Sequence, residues 1–311
     1  MTGKFMSFIL SIVISIASFF GIAVPENVKS VNTDGFKPDS SWELVFEDNF
    51  DGDKLNDKVW RYSYDEEEPR RGGYWVNDAV FVENGNLVIR TNYRKDGKFG
   101  EGWYTGAVFT QKDPNNAQFE GFSTKYGYFE VRCKVPEIYG TWAAFWLMPE
   151  SGFKNDKFGT GEDGAEIDIF ESPYMYDKTF KNTVSHAIHI DGYGEELKSL
   201  SDKPTQKFVK NLYSEYHTYA LERNENEYIF YIDGTETWRT KDAVGTVSQV
   251  AEYLYLSVEV GGEVIDGKPV AGKAKGENGE LVDFWAGNLD KNSKEENYDF
   301  LVDYVRVYQK K

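Results

Sequence analysis

The chain is short of cysteine, of histidine and of positive charge, and each shortage closes off a class of function. A single cysteine, Cys133, among 311 residues leaves no intramolecular disulfide and no cysteine-ligated metal centre. It follows Tyr128-Phe129-Glu130-Val131-Arg132, a strand-like run, so the thiol reads as a small buried hydrophobe and not as a reactive group. Lys and Arg number 35 against 52 Asp and Glu, a formal net charge of −17. Binding to nucleic acid or to an anionic membrane surface depends on clustered cations, so neither partner suits this chain. An uncharged polymer is not in conflict with that balance, and the surplus of acid otherwise reads as a soluble, self-repelling surface. There are three histidines. His186 and His189 lie an odd number of residues apart in the strand-like run Val184 to Ile190, on opposite faces, and cannot form a two-histidine metal pair.

Long apolar runs are equally scarce. The one present is Phe5 to Val24, preceded by Lys4, broken only by Ser and Gly, and ended by Gly21 and Ala23 before Val24-Pro25. That pattern marks residues 1–24 as an export signal, expected to be cleaved, with retention as a membrane anchor the alternative. The expected location is therefore secreted or cell-surface. Residues 25–40 are polar and read as a linker, leaving 41–311 as one large domain.

What the domain has in abundance is short strands and aromatic rings. Trp42-Glu43-Leu44-Val45-Phe46, Leu87-Val88-Ile89-Arg90-Thr91, Tyr228-Ile229-Phe230-Tyr231-Ile232 and Phe300 to Tyr308 are alternating or β-branched runs. Turn signals such as Glu83-Asn84-Gly85-Asn86 and Ile232-Asp233-Gly234 punctuate them. Helical periodicity is confined to Thr205 to Tyr216, and the Gly- and Lys-rich stretch Gly261 to Leu281 reads as a long inserted loop. The fold expected is all-β, a sandwich or jelly roll. Aromatic residues make up 16% of the chain, more than a core needs, and flat rings stack well on the apolar faces of sugars.

The informative segment is Asp163-Gly164-Ala165-Glu166-Ile167-Asp168-Ile169-Phe170-Glu171-Ser172-Pro173. Ile167 and Ile169 favour a strand, on which Glu166 and Asp168 share one face. Strict alternation would then drive Glu171 into the core, where an unpaired carboxylate is costly. One extra residue, a β-bulge near Ile169-Phe170, returns Glu171 to the acidic face. A helix would scatter the three acids at ~100° per residue. Three acids in a row repel, so at least one pKa rises. Glycoside hydrolysis needs this kind of asymmetry, one ionised and one protonated carboxyl, with a separation of roughly 5–5.5 Å in retaining enzymes. Taken by spacing alone, a solvated acidic strand or a cation site fits as well.

Glu166-Ile167-Asp168-Ile169-Phe170-Glu171 resembles the signature of family 16 of the glycoside hydrolases, in the six-residue, bulged form of its laminarinase-like branch. Four further segments resemble that family in order: Trp42 to Gly52, Lys125 to Arg132, Gly140 to Pro149, and Val302 to Tyr308. The resemblance implies a concanavalin-like β-jelly roll of two antiparallel sheets with an open cleft on the concave face, and makes 41–311 the catalytic domain. It implies a retaining, endo-acting hydrolase of β-1,3- or mixed-linkage β-1,3-1,4-glucan. Glu166 would be the nucleophile, Glu171 the general acid/base, and Asp168 the residue that orients and tunes them. Trp142, Trp146 and His189 would line the cleft, with Trp285 a sugar platform at one end. The chemistry would need no cofactor, although the family's structural calcium would match the backbone oxygens of Asn49 and Gly85 together with Asp303, hard oxygen donors that suit that ion. The partner would be a β-glucan, the protein a monomer.

Two departures bear on substrate choice. Where many laminarinases have Ser-Gly-Arg after a tyrosine, this chain has Tyr104-Thr105-Gly106-Ala107-Val108, and Asn49 stands where the family often has Glu. A galactan-acting relative, a transglycosylase and a non-catalytic carbohydrate-binding jelly roll are the alternatives; the last has no use for three aligned carboxylates. His186 and His217 read as structural.

Overall fold

The computed structural model describes residues 35–62, 67–153, 157–173, 184–202, 212–213, 215–289 and 296–311. The expected leader over 1–24, most of the linker and most of the helix expected over Thr205 to Tyr216 lie outside them. Among the described residues the helical content is one 3₁₀ turn, Asn77–Ala79.

The β-branched and aromatic runs pair into two large sheets. The first is eight-stranded, in the order Lys198–Asp202, Ser185–Ile190, Ala165–Glu171, Thr141–Pro149, Glu252–Val260, Ala107–Phe109, Arg61–Tyr62, with Ser123–Thr124 also on Glu252–Val260. The second is eleven-stranded, and its centre is the strand Asn297–Lys310, held between Gly127–Lys134 and Asn86–Gly97 and also paired with Trp42–Asp48. Pairing is antiparallel except between Gly73–Trp75 and Gly100–Thr105, which run parallel.

Each sheet buries one face against the other. Phe145, Leu147, Ile167, Ile188, Leu254 and Leu256 come from the smaller sheet, and Phe129, Val131, Leu221, Phe230, Val305 and Val307 from the larger, in one apolar core. Cys133 belongs to that core and is buried, as its context suggested. A buried ion pair joins the layers: Arg223 from His217–Arg223 meets Glu252 from Glu252–Val260, and Glu252 also accepts the backbone N–H of Ala165 at 3.1 Å. The first residue of the acidic strand is thus fixed from both sheets.

The stretch Gly261 to Leu281 is not the open loop its composition suggests. It forms two small antiparallel ribbons, Gly262–Ile265 with Lys268–Ala271 and Lys273–Lys275 with Leu281–Asp283. Asp266 and Gly267, at φ 51° and 80°, make the two-residue turn of the first, a conformation that matches the twist of flanking strands. Strands this short carry too little periodicity to stand out among Gly and Lys.

Candidate active site

Alternation in the smaller sheet sorts side chains between core and open face. In Thr141–Pro149, Trp142, Ala144, Trp146 and Met148 turn outward; opposite them in Glu252–Val260 stand Glu259, Ser257, Tyr255 and Tyr253. These residues form the floor of a cleft of about 600 Å³ that also takes in Arg70, Arg71, Tyr193 and Trp285. The acidic strand Ala165–Glu171 crosses the middle. Asp168 pairs with Ala187 and Glu171 with Ser185, so Ile169 and Phe170 together face His186 alone on the neighbouring strand. This is the bulge that the acid spacing demanded, with both Ile169 and Phe170 fully buried. Glu166, Asp168 and Glu171 all open into the cleft as a result.

The three carboxyls have different surroundings. Glu171 accepts a hydrogen bond from Trp142 Nε1 at 2.9 Å and lies 3.4 Å from Ser185 Oγ. Burial first, and then the charges of Asp168 and Glu166, push its pKa well above the usual carboxylate range. Asp168 is raised well above that range too, by burial, Glu166 and Glu259. Its Oδ2 is buried without a hydrogen-bond partner of sound geometry, although His189 Nε2 lies 3.3 Å away. Glu166 is raised by burial, but a hydrogen bond from the Tyr193 hydroxyl and the nearby His189 both pull it back. Both glutamates are thus pushed toward the protonated form, Glu171 the further of the two, while Tyr193 and His189 oppose the rise at Glu166.

The aromatic and histidine residues singled out from the sequence converge on the same cleft. Trp146 stacks on Tyr255 with ring centroids 4.1 Å apart and planes 16° from parallel. Trp285 is 58% exposed and meets Trp142 edge-on at 5.0 Å, which leaves its own face open at one end. His189 is anchored through Nδ1 to Ser199 Oγ at 2.6 Å, so its Nε2 looks toward the acids. His186 instead bonds Ile169 O and Thr237 inside the protein, where burial lowers its pKa to about 4. His217 is buried against Asp233.

Sequence reasoning missed several cleft residues. Tyr253, Tyr255, Ser257 and Glu259 alternate with Leu254, Leu256 and Val258, a readable two-residue period. Arg70 and Arg71 had no such signal. They enter from the turn between Glu68–Arg70 and Gly73–Trp75, and Glu259 clamps both guanidiniums. Two cations thus reach the cleft even though the arginine of the laminarinase pattern is absent after Tyr104.

The suggested calcium ligands also meet in one place. Asn49, Gly85 and Asp303 line a second pocket of about 420 Å³ together with Asp51. Asp303 follows the core residue Val302, so alternation turns its side chain away from the core, and it is also the unpaired residue at a register shift opposite Arg132 and Cys133. Arg132 bonds Asp303 Oδ2 at 2.7 Å, and Arg306 bonds the side-chain oxygen of Asn49 at 2.9 Å. Asp303 is an oxygen donor of the kind calcium takes, and the guanidiniums of Arg132 and Arg306 share the pocket with it.

The sequence model described as Glycosyl hydrolases family 16 matches residues 74–283. Glucan endo-1,3-beta-glucosidase A1 of Niallia circulans is 25% identical over 292 residues, which is 86% of this chain and 38% of that protein. The beta-glucanase of Rhodothermus marinus is 25% identical over 281 residues, 86% of this chain and 85% of that protein. This chain therefore spans well under half of the first relative and most of the second. Among solved structures, the laminarinase catalytic domain of Thermotoga maritima is similar with a TM-score of 0.62 at 22% identity, over 88% of this chain and 100% of that one. SCLam, a non-specific endo-beta-1,3(4)-glucanase, is similar with a TM-score of 0.61 at 27% identity, over 92% and 98%.

Proposed function

The chain belongs to family 16 of the glycosyl hydrolases, and from that premise we propose that it cleaves β-1,3- or mixed-linkage β-1,3-1,4-glucan internally with retention of configuration. The observation that carries this reading is the divergence of two carboxyl environments in one aromatic-lined cleft. Glu166 attacks the anomeric carbon while Glu171 gives its proton to the departing glycosidic oxygen, and a glycosyl ester forms on Glu166. Glu171, now ionised, takes a proton from water, which attacks the same carbon and breaks the ester. Asp168 makes no bond to sugar; it stands between the two glutamates on the same face and orients and tunes them. Trp142, Trp146, Trp285 and His189 hold the glucan.

The test is product analysis on laminarin, lichenan, barley glucan and agarose. Short oligosaccharides whose first-formed anomers are β by proton NMR are expected from the glucans. Inverted products would overturn the mechanism, and activity on agarose alone would overturn the substrate class. The roles separate by variant: Glu171→Ala should release β-glycosyl azide from an activated aryl glycoside when azide is supplied, and Glu166→Ala should not.

Residues 1–24 serve as an export signal in this reading, which places the enzyme outside the cell; N-terminal sequencing of secreted material that begins at Met1 would refute cleavage. Calcium at Asn49, Gly85 and Asp303 would stabilise the fold and take no part in the chemistry.

A further inference from the structure

Tyr193 has no place in the sequence motif, yet its hydroxyl is bonded to Glu166 Oε2. The backbone that delivers it is unusual. The strand Ser185–Ile190 ends in two consecutive residues of left-handed conformation, Asp191 at φ 67° and Gly192 at φ 74°. Glycine adopts that region freely, but a non-glycine residue does so at a cost that its surroundings must offset. Asp191 is held there by its own buried carboxylate, which accepts from Lys198 Nζ at 2.6 Å and from the backbone N–H of Gly159 at 2.9 Å. The next residue, Tyr193, is thereby thrown back across the cleft. Phe153, itself left-handed at φ 61°, braces the tyrosine ring edge-on at 5.6 Å, and Met148 Sδ lies 3.4 Å from the hydroxyl. Three separate features thus aim one hydroxyl at one carboxylate oxygen, while the ring itself stays 63% exposed along the cleft wall.

We propose that Tyr193 is a further catalytic-site residue, one that holds Glu166 ionised and fixes its orientation before attack while offering its ring to the bound sugar. This rests on Glu166 being the nucleophile. A phenol donating to a carboxylate stabilises the ionised form. That help matters here because burial and the charge of Glu259 both disfavour the ionised form of Glu166. Oε1, on the side of His189, is left to form the bond to the anomeric carbon; the phenol keeps its proton throughout, so nothing is transferred and only the hydrogen bond weakens as the glycosyl ester removes charge from Glu166.

The test is Tyr193→Phe, which deletes one oxygen from a largely exposed side chain. Its kcat on laminarin or barley glucan on the acidic limb should fall about ten-fold, because fewer molecules then hold Glu166 ionised and oriented for attack. The acidic limb of its kcat/KM profile should move up by about one pH unit, because Glu166 then ionises less readily. A shifted limb with an unchanged melting temperature supports the role, since a merely structural tyrosine would leave the limb alone. Asp191→Ala, which frees the turn, should shift the limb in the same direction. A Tyr193→Phe enzyme with an unmoved limb and kcat within about two-fold of wild type overturns the inference. That outcome is distinct from failure of the underlying reading, which would appear as near-normal hydrolysis by Glu166→Gln.

Discussion

Asp168 shows at the scale of one residue how catalysis and stability pull apart. Its carboxyl is buried, shares the cleft with Glu166 and Glu259, and has one oxygen without a hydrogen-bond partner. Its folded pKa therefore stands well above the unfolded value of about 3.9. The folded form holds the proton more tightly than the unfolded chain, so this group's stabilising contribution is complete below the unfolded pKa. It is lost as pH rises through the folded value. Asp168→Asn removes that loss. The variant should melt about 3 °C or more above wild type near neutral pH, with the gap closing toward pH 3, while its activity falls about a hundred-fold. A calorimetric gap that stays constant with pH would contradict this account. The three acids were legible in the sequence because period-two alternation and the cost of burying charge together admit few arrangements. Glu259, Arg71 and Tyr193 were not, because each reaches the cleft from a turn or strand remote in sequence, and local spacing carries no trace of that meeting.

The bulge is the corresponding device at the scale of the element. Ile169 and Phe170 both face the core, and that double step is what returns Glu171 to the open side. A change of one residue tests this. Deleting Ile169 leaves Glu-Ile-Asp-Phe-Glu, a regular alternation that keeps three acids on one face at the expense of some core volume. That protein should fold, with lowered stability and measurable hydrolysis in a reducing-sugar assay. A deletion variant that folds but hydrolyses nothing would mean that the facing of Glu171 does not suffice and that the bulge itself is needed. Most strands could be read from alternation in the same way. The paired ribbons within Gly261 to Leu281 could not, although their Asp266-Gly267 turn is of the same kind as the Asn84-Gly85 and Asp233-Gly234 turns that were recognised; the flanking residues, Ile265 and Lys268, offer too short an alternation to mark a strand.

At the scale of the whole molecule, the pocket of Asn49, Gly85 and Asp303 draws together three remote parts of the chain: the end of Trp42–Asp48, the turn before Asn86–Gly97, and the strand Asn297–Lys310. An ion bound there would stabilise the folded state by mass action without entering the cleft. Chelation with EGTA should lower the melting temperature by about 5 °C, restored by added calcium, without changing kcat at temperatures where the protein stays folded. A melting temperature indifferent to both would remove calcium from the description. The sandwich was legible from its short strands and turns, but the order of strands within each sheet was not, since alternation says which face a residue takes and not which neighbour its strand finds.

That order has a consequence in time. Asn297–Lys310 follows every other strand of the domain in sequence, yet it sits in the middle of the larger sheet and pairs with three of them. A growing polypeptide can form hairpins such as Val80–Glu83 with Asn86–Gly97 as they emerge, but Gly127–Lys134 and Asn86–Gly97 have no partner between them until the final strand is made. The core therefore closes in one late event. A messenger truncated before codon 297 should yield an aggregation-prone chain and not a weakened enzyme, and the cleft, complete in its residues twelve codons earlier at Trp285, waits on a strand that contributes nothing to it.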